Sequence, residues 1–302
     1  MQLRNWLRRI RPNPLDKQLK KAQTRGCRSI LILWNRGLGD IPLGLFALCR
    51  RIREFLPDAK ITFLTRRDLE EGFRLLDHIQ VLVDPHLQRG ESIDLEKSLA
   101  RFGAKPEDFD VILEKPDPTR WLSWQLGTLV PKLSWDIKWN AFARSFGLNG
   151  EYIGVHLQTE TGEYYGYEKN WPLENWTKLL EELTKRYKKK ILLFGIKPDP
   201  SVHLENVVDL RGKTSLFEMI AIIQDHCRIL IVPDSGVLSI LYYIEADFPI
   251  KIISLWADPR QGVLRQNVAS PNPGLKHIPL IGKEEKIQNI ALEDVLDAAL
   301  QE

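Results

Sequence analysis

One stretch constrains the fold of this chain more than any other. Residues 29–57 read SILILWN, RGLGD and IPLGLFALCRRIREFLP in succession. From 30 to 35 the side chains are mostly branched or aromatic and apolar, the signature of a strand buried in a parallel sheet. The run stops at Gly37 and Gly39, so a turn follows. Asp40 is a favoured N-cap, Pro42 falls in the first helical turn where its missing N–H costs little, and apolar residues at 41, 45, 48, 52 and 55 make one helical face. Asp40 is thereby expected at the carboxyl end of the first strand, where open α/β sheets bind ligands.

The same alternation runs down the chain. KITFLTR (60–66) reads as a strand, DLEEGFRLLD (68–77) as a helix and IQVLVD (79–84) as a strand. A helix around 93–102 and a fourth strand centred on 111–113, stopped by Pro116 and Pro118, complete the series. Tryptophans at 121, 124, 135 and 139 then read either as core or as the lining of a cleft for a sugar or lipid. Asn149 and Gly150 form a sharp break, and the rhythm restarts with YIGVHLQT (strand), PLENWTKLLEELTKRY (helix), KKILLFGI and NVVDLRG (strands), SLFEMIAIIQDH (helix), RILIVPD (strand), SGVLSILYYIEA (helix) and IKIISLWA (strand), with ALEDVLDAALQ as a closing helix. Two βα series in succession predict an α/β protein of two facing Rossmann-like domains with a cleft between them, over 29–150 and 151–302.

Charge separates the first 28 residues from the rest. The net charge of +3 conceals +8 in residues 1–30 and −5 in the remaining 272. Leu3, Trp6, Leu7 and Ile10 fall at helical spacing among Arg4, Arg8, Arg9 and Arg11, so residues 1–28 read as a basic amphipathic segment suited to an anionic membrane surface. The other readings are a solvated basic tail, with 12–25 as the one stretch open to disorder, or a helix docked on the protein itself. An apolar core of a secretory signal and an uninterrupted membrane-spanning run are both missing, and the mildly acidic remainder argues against nucleic acid. Cys27, Cys49 and Cys227 are widely spaced, which indicates neither a disulfide framework nor a zinc site and points to a reducing compartment.

Three places suit chemistry. RGLGD is G-x-G-D rather than G-x-G-x-x-G, and no acid ends the second strand, which argues against a nicotinamide enzyme. Its glycines let backbone approach a ligand, and Asp40 reads as a general base for a bound hydroxyl or as a simple N-cap. Lys169, just before a proline-started helix, reads as a diphosphate ligand or as a solvated lysine, and Thr159 ends the preceding strand. VPDSGVLS joins a buried strand to a helix, so Asp234, Ser235 and Gly236 read as an anion-binding turn or as mere capping.

In order, NRGLGD (35–40), VHLQT (155–159), KNWPLENW (169–176), DLRGKTSLFEMIAII (209–223) and PDSG (233–236) resemble the motifs of the heptosyltransferases, the inverting glycosyltransferases of lipopolysaccharide inner-core synthesis, across roughly residues 28–300. The resemblance implies the GT-B fold and transfer of a heptose or similar sugar from an ADP-sugar to a lipid-linked glycan. By the same resemblance Asp40 is the catalytic base, and Arg36, Gly37 and Gly39 form the acceptor-side loop. Thr159, Lys169, Asp234, Ser235, Gly236 and Ser239 hold the donor, and no metal or cofactor is required. It further implies a cytoplasmic location, peripheral on the inner face of the membrane. Where the family pattern carries a histidine three residues after the turn glycine, this chain has Ser239, and the loop 159–169 is longer and more aromatic. That substitution keeps a second reading open, a sugar-nucleotide or glycan-binding protein without turnover. A third is another GT-B enzyme using a UDP-sugar, such as an epimerase.

Overall fold

The computed structural model describes residues 13–160, 166, 168–198 and 201–301. The chain folds as two compact units, one running to Leu129 and the other from Val130.

In the first unit, α1 (Pro14–Thr24) precedes β1 (Ser29–Trp34), a π-helical turn Ile41–Leu45 continued by α2 (Phe46–Phe55), β2 (Lys60–Thr65), α3 (Glu70–Phe73), β3 (Ile79–Val83), α4 (Leu95–Ala100), β4 (Val111–Leu113) and α5 (Pro118–Trp121). The sheet is parallel in the order β3-β2-β1-β4, which places the largely apolar β1 inside it. Of the helical face expected at 41, 45, 48, 52 and 55, the first four residues are fully buried and Phe55 is half-buried. The helix expected over 68–77 is cut to a 3-10 turn Arg67–Leu69 and the four residues of α3. Of residues 12–25, open to disorder by composition, those from Pro14 to Thr24 form a helix instead. Asn13 caps it, Leu15, Leu19 and Ala22 are buried, and Asp16 takes two bonds from the Arg51 guanidinium at 2.7 and 2.8 Å. Burying two leucines supplies about 4 kcal/mol, which a solvated tail would forgo. The carboxyl half of the basic segment is therefore a helix docked on its own unit. The interfacial pattern at 3–11 lies outside the described residues.

The second unit contains β5 (Leu133–Ser134), β6 (Tyr152–His156), α6 (Leu173–Glu181), β7 (Ile191–Phe194), β8 (Val207–Asp209), α7 (Leu216–His226), β9 (Cys227–Pro233), α8 (Gly236–Tyr243), β10 (Ile244–Glu245), β11 (Ile250–Trp256), α9 (Gly262–Gln266), β12 (Leu275–Ile281) and α10 (Leu292–Leu300). Its six-stranded sheet, β8-β7-β6-β9-β11-β12, is parallel throughout. Numbered within the unit this is 3-2-1-4-5-6, the dinucleotide-fold order, with its switch point between β6 and β9. A core of Ile153, Val155, Trp171, Trp176, Leu179 and Leu193 fills one face against α6 and α10. Ser215 and Glu218 make a reciprocal capping box that starts α7.

The unit boundary falls about twenty residues before the expected break at 150. β5 pairs with β10, and the 3-10 run Ile137–Phe146 lays Trp139 on Phe217 of α7, ring centroids 4.3 Å apart, with Trp135 edge-on at 5.4 Å. These two tryptophans thus serve packing in the second unit, because Phe217 gives their rings an apolar partner. Trp124 is 39% exposed, with the Arg51 guanidinium 5.8 Å from its ring centroid. Among the described residues no helix is long and apolar enough to cross a membrane.

Candidate active site

β1 delivers Asn35 to the end of the first sheet, where its side-chain amide donates to the carbonyls of Gln88 and Glu91, both at 2.8 Å. That clasp fixes the loop beyond β3 alongside the RGLGD turn. Arg36 is exposed and lies over the Trp34 ring at 5.5 Å, while its carbonyl accepts from Arg66 at 3.0 Å. Asp40 departs from the N-cap expectation. Its own backbone is already helical (φ −69, ψ −18) and its side chain makes no capping bond. The carboxylate folds back over Gly37, and a Cβ there would lie 2.8 Å from Asp40 Oδ2. Glycine at 37 is thus what lets a half-buried carboxylate stand over the turn. The helix below it opens as a π turn, an irregularity that concentrates at functional sites and that no propensity at 41–45 announces.

In the second unit the neighbouring strands β6 and β9 both end at the switch point. After β6 the Asn170 side chain clasps Thr159, accepting from its N–H at 2.8 Å and donating to its carbonyl at 3.1 Å, so the two ends of the 159–170 loop are tied together. Lys169, one residue from that clasp, places Nζ 2.5 Å from Asp234 Oδ2, with side-chain exposures of 14% and 8%. Burial pushes the Asp234 carboxyl above its usual range, and the Lys169 ammonium opposes that shift. A carboxylate in so little water needs such a partner to stay charged. Gly262 closes the other side, since a Cβ there would lie 2.7 Å from both Asp234 Oδ1 and the Trp256 ring.

Ser235 caps α8, its hydroxyl accepting from the Leu238 N–H at 3.2 Å. Gly236 begins that helix beside it. Ser239 is buried, and its hydroxyl donates to the Ser235 carbonyl at 3.1 Å, so it braces the turn from inside its own helix. Further back, Arg211 of the DLRG motif is 2% exposed and forks onto Asp209 at 2.7 and 2.9 Å.

Lys169 and Asp234 line a pocket of about 200 Å³ together with Gly166, Glu168, Ala257, Asp258, Gln261 and Glu285. Asp258, Gln261, Gly262 and Glu285 carry no motif. What would have found the first three is their position just past the carboxyl end of β11, the next strand along the sheet from β9. Among the described residues no group of three or more His, Cys, Asp and Glu side chains is arranged to hold a metal ion.

Residues 123–240 match the family model of glycosyltransferase family 9 (heptosyltransferase). Two solved structures share the fold. The glycosyl transferase family 9 protein from Veillonella parvula DSM 2008 is 16% identical over 90% of this chain and 96% of its own, with a TM-score of 0.60. The E. coli ADP-heptose LPS heptosyltransferase II is 16% identical over 90% of this chain and 99% of its own, with a TM-score of 0.59. No curated protein matches the chain.

Proposed function

We propose that this chain, whose residues 123–240 match the glycosyltransferase family 9 (heptosyltransferase) model, transfers a heptose, or a closely similar sugar, from an ADP-sugar to a hydroxyl of a lipid-linked glycan. The observation that carries the reading is the buried Lys169–Asp234 pair at the switch point of a 3-2-1-4-5-6 sheet. In this reading the second unit holds the donor. The Lys169 ammonium and the first amides of α6 face the diphosphate, and Thr159 and the Ser235–Gly236 turn flank it. Asp40 accepts the proton of the acceptor hydroxyl as that oxygen attacks the anomeric carbon, and the configuration inverts. The glycosidic bond to the diphosphate breaks as the new bond forms, and Lys169 stabilises the charge that develops on the leaving group. The donor reading is supported by the name of the E. coli structure that shares the fold, an ADP-heptose LPS heptosyltransferase.

Two measurements test this. A thermal-shift screen of nucleotide sugars should show its largest stabilisation with ADP-heptose, since a ligand that binds only the folded state raises stability by mass action. Transfer of radiolabelled heptose to a membrane extract should then follow. A protein stabilised by UDP-sugars in preference to ADP-sugars would refute the donor assignment. Ser239, bonded to the Ser235 carbonyl where the family pattern has histidine, favours a second reading of binding without turnover. Donor binding with no transfer would establish that one. For the acceptor side we propose attachment to an anionic membrane through the basic residues preceding α1. Replacing Arg4, Arg8 and Arg9 with Glu should abolish co-sedimentation with anionic vesicles, and persistence would place the contact elsewhere.

A further inference from the structure

The donor pocket has a wall that the family motifs do not reach, the turn at 282–286 that follows β12. We propose that this turn, clamped by Arg260, determines specificity for the transferred sugar, with Glu285 and Asp258 accepting hydrogen bonds from its hydroxyl groups. The proposal rests on the donor reading above and deepens it.

Three observations point the same way. The first is charge. The lining side chains present the carboxylates of Glu168, Asp234, Asp258 and Glu285 against the single ammonium of Lys169. Ionised carboxylates only accept hydrogen bonds. A diphosphate brings only acceptors and negative charge, whereas a neutral polyhydroxylated ring brings donors. The carboxylate-rich side of the pocket therefore suits the sugar end of the donor, and at about 200 Å³ it is smaller than the pockets that enclose whole ligands.

The second is the clamp. Arg260 donates from Nε to Asp258 Oδ1 at 2.7 Å and from Nη2 to Glu285 Oε2 at 2.7 Å, and its backbone N–H reaches Asp258 Oδ1 at 2.9 Å. One guanidinium thus spaces two lining carboxylates that belong to segments following different strands. Its bonds to Asp258 also hold that carboxyl below the usual range, so it stays an acceptor.

The third is backbone strain. Glu284 and Glu285 are consecutive residues in the left-handed region (φ 58 and 57), which side chains other than glycine seldom adopt. The start of the strained turn is pinned twice. Gly282 N–H donates to the Trp256 carbonyl at 2.9 Å, and the Asn289 side-chain amide donates to the Lys283 carbonyl at 3.0 Å. Strain retained in this way gathers at ligand clamps. Here it aims Glu285 toward the pocket that holds Lys169.

The test is calorimetric titration of the full chain with ADP and with ADP-heptose, for the natural protein and for Glu285→Gln, Arg260→Gln and Arg260→Lys, each first checked for an unchanged melting temperature. The natural protein should bind ADP-heptose about tenfold more tightly than ADP. Glu285→Gln and Arg260→Gln should each erase that preference while leaving ADP affinity within about twofold, and Arg260→Lys should recover part of it. A preference that survives both glutamine variants, or an equal loss for the two ligands, would overturn the assignment. So would equal affinity of the natural protein for ADP and ADP-heptose, which leaves the donor reading standing. Failure to bind either ligand would instead bring down the donor reading and this inference with it.

Discussion

The turns that leave β1 and β9 each follow a strand bordering the switch point of its sheet, β1 beside β4 and β9 beside β6, yet they bury their carboxylates to different degrees. After β1, Asp40 is half-buried and stands over a glycine. After β9, Asp234 is 8% exposed and locked to Lys169 at 2.5 Å. Topology puts a carboxylate at the carboxyl end of a strand in both units, and burial then divides their roles. A carboxylate kept near water can exchange a proton with a bound hydroxyl. One removed from water needs a permanent cation, and the pair it forms becomes a fixed electrostatic feature to which a charged ligand must fit.

The sharpest way to break this contrast is Asp40→Asn. Loss of a general base should cut transfer by about 10²–10⁴-fold with ADP-heptose affinity unchanged, and unaltered turnover in a transfer assay would remove Asp40 from the chemistry. Lys169→Ala should act on the fold as well as the ligand. Stranding the buried Asp234 costs about 3–5 kcal/mol, and ADP affinity should fall in the same variant. Chemical denaturation of Lys169→Ala beside a Lys169→Ala, Asp234→Ala double variant separates the two effects, since the double variant should regain most of the stability and none of the affinity.

Acid distinguishes the units next. His156 and His277, both in the second unit, are held by burial down to about 4. The unfolded chain binds these protons near pH 6.5 and the folded chain does not, so stability is full above about 6.5 and declines as pH falls toward about 4, by up to about 3 kcal/mol for each group. Denaturation midpoints between pH 7 and 4 would show that decline, and His156→Phe should remove about half of it, leaving the part due to His277. His156 is the cleaner probe, because its Nδ1 has no hydrogen-bond partner. His277 Nε2, by contrast, shares a 2.6 Å bond with the Ser254 hydroxyl. The smallest expected effect is that of Gly262→Ala. A methyl 2.7 Å from Asp234 Oδ1 and the Trp256 ring must displace one of them, at about 1–3 kcal/mol, with donor affinity weakened more than stability if Asp234 is what moves.

Much of this was legible beforehand. The strands from β1 to β4, and β6, β7, β8, β9 and β11, follow from short runs of branched and apolar residues, and for β1, β2, β6, β7, β9 and β11 burial on both faces leaves such runs little alternative. β12 was missed. It is an edge strand carrying Pro279, and none of its residues is fully buried, so its pairing with β11 is decided by the neighbour and not by its own composition. The short β5–β10 pair and the allocation of residues 130–150 to the second unit were missed for the same reason, since both depend on what Trp135, Trp139 and Leu133 meet.

The sequence by itself determined the alternation of strand and helix, the two strand-end turns bearing Asp40 and Asp234, and the family motifs that tie them together, because hydrophobic period and glycine placement are local properties of a chain. Only the tertiary structure decided that Lys169 closes on Asp234, that Asp40 leans on Gly37 instead of capping its helix, and that Arg260 joins Asp258 to Glu285. Those are contacts whose energy depends on how much water remains around each charge, and the packing of distant segments sets that quantity.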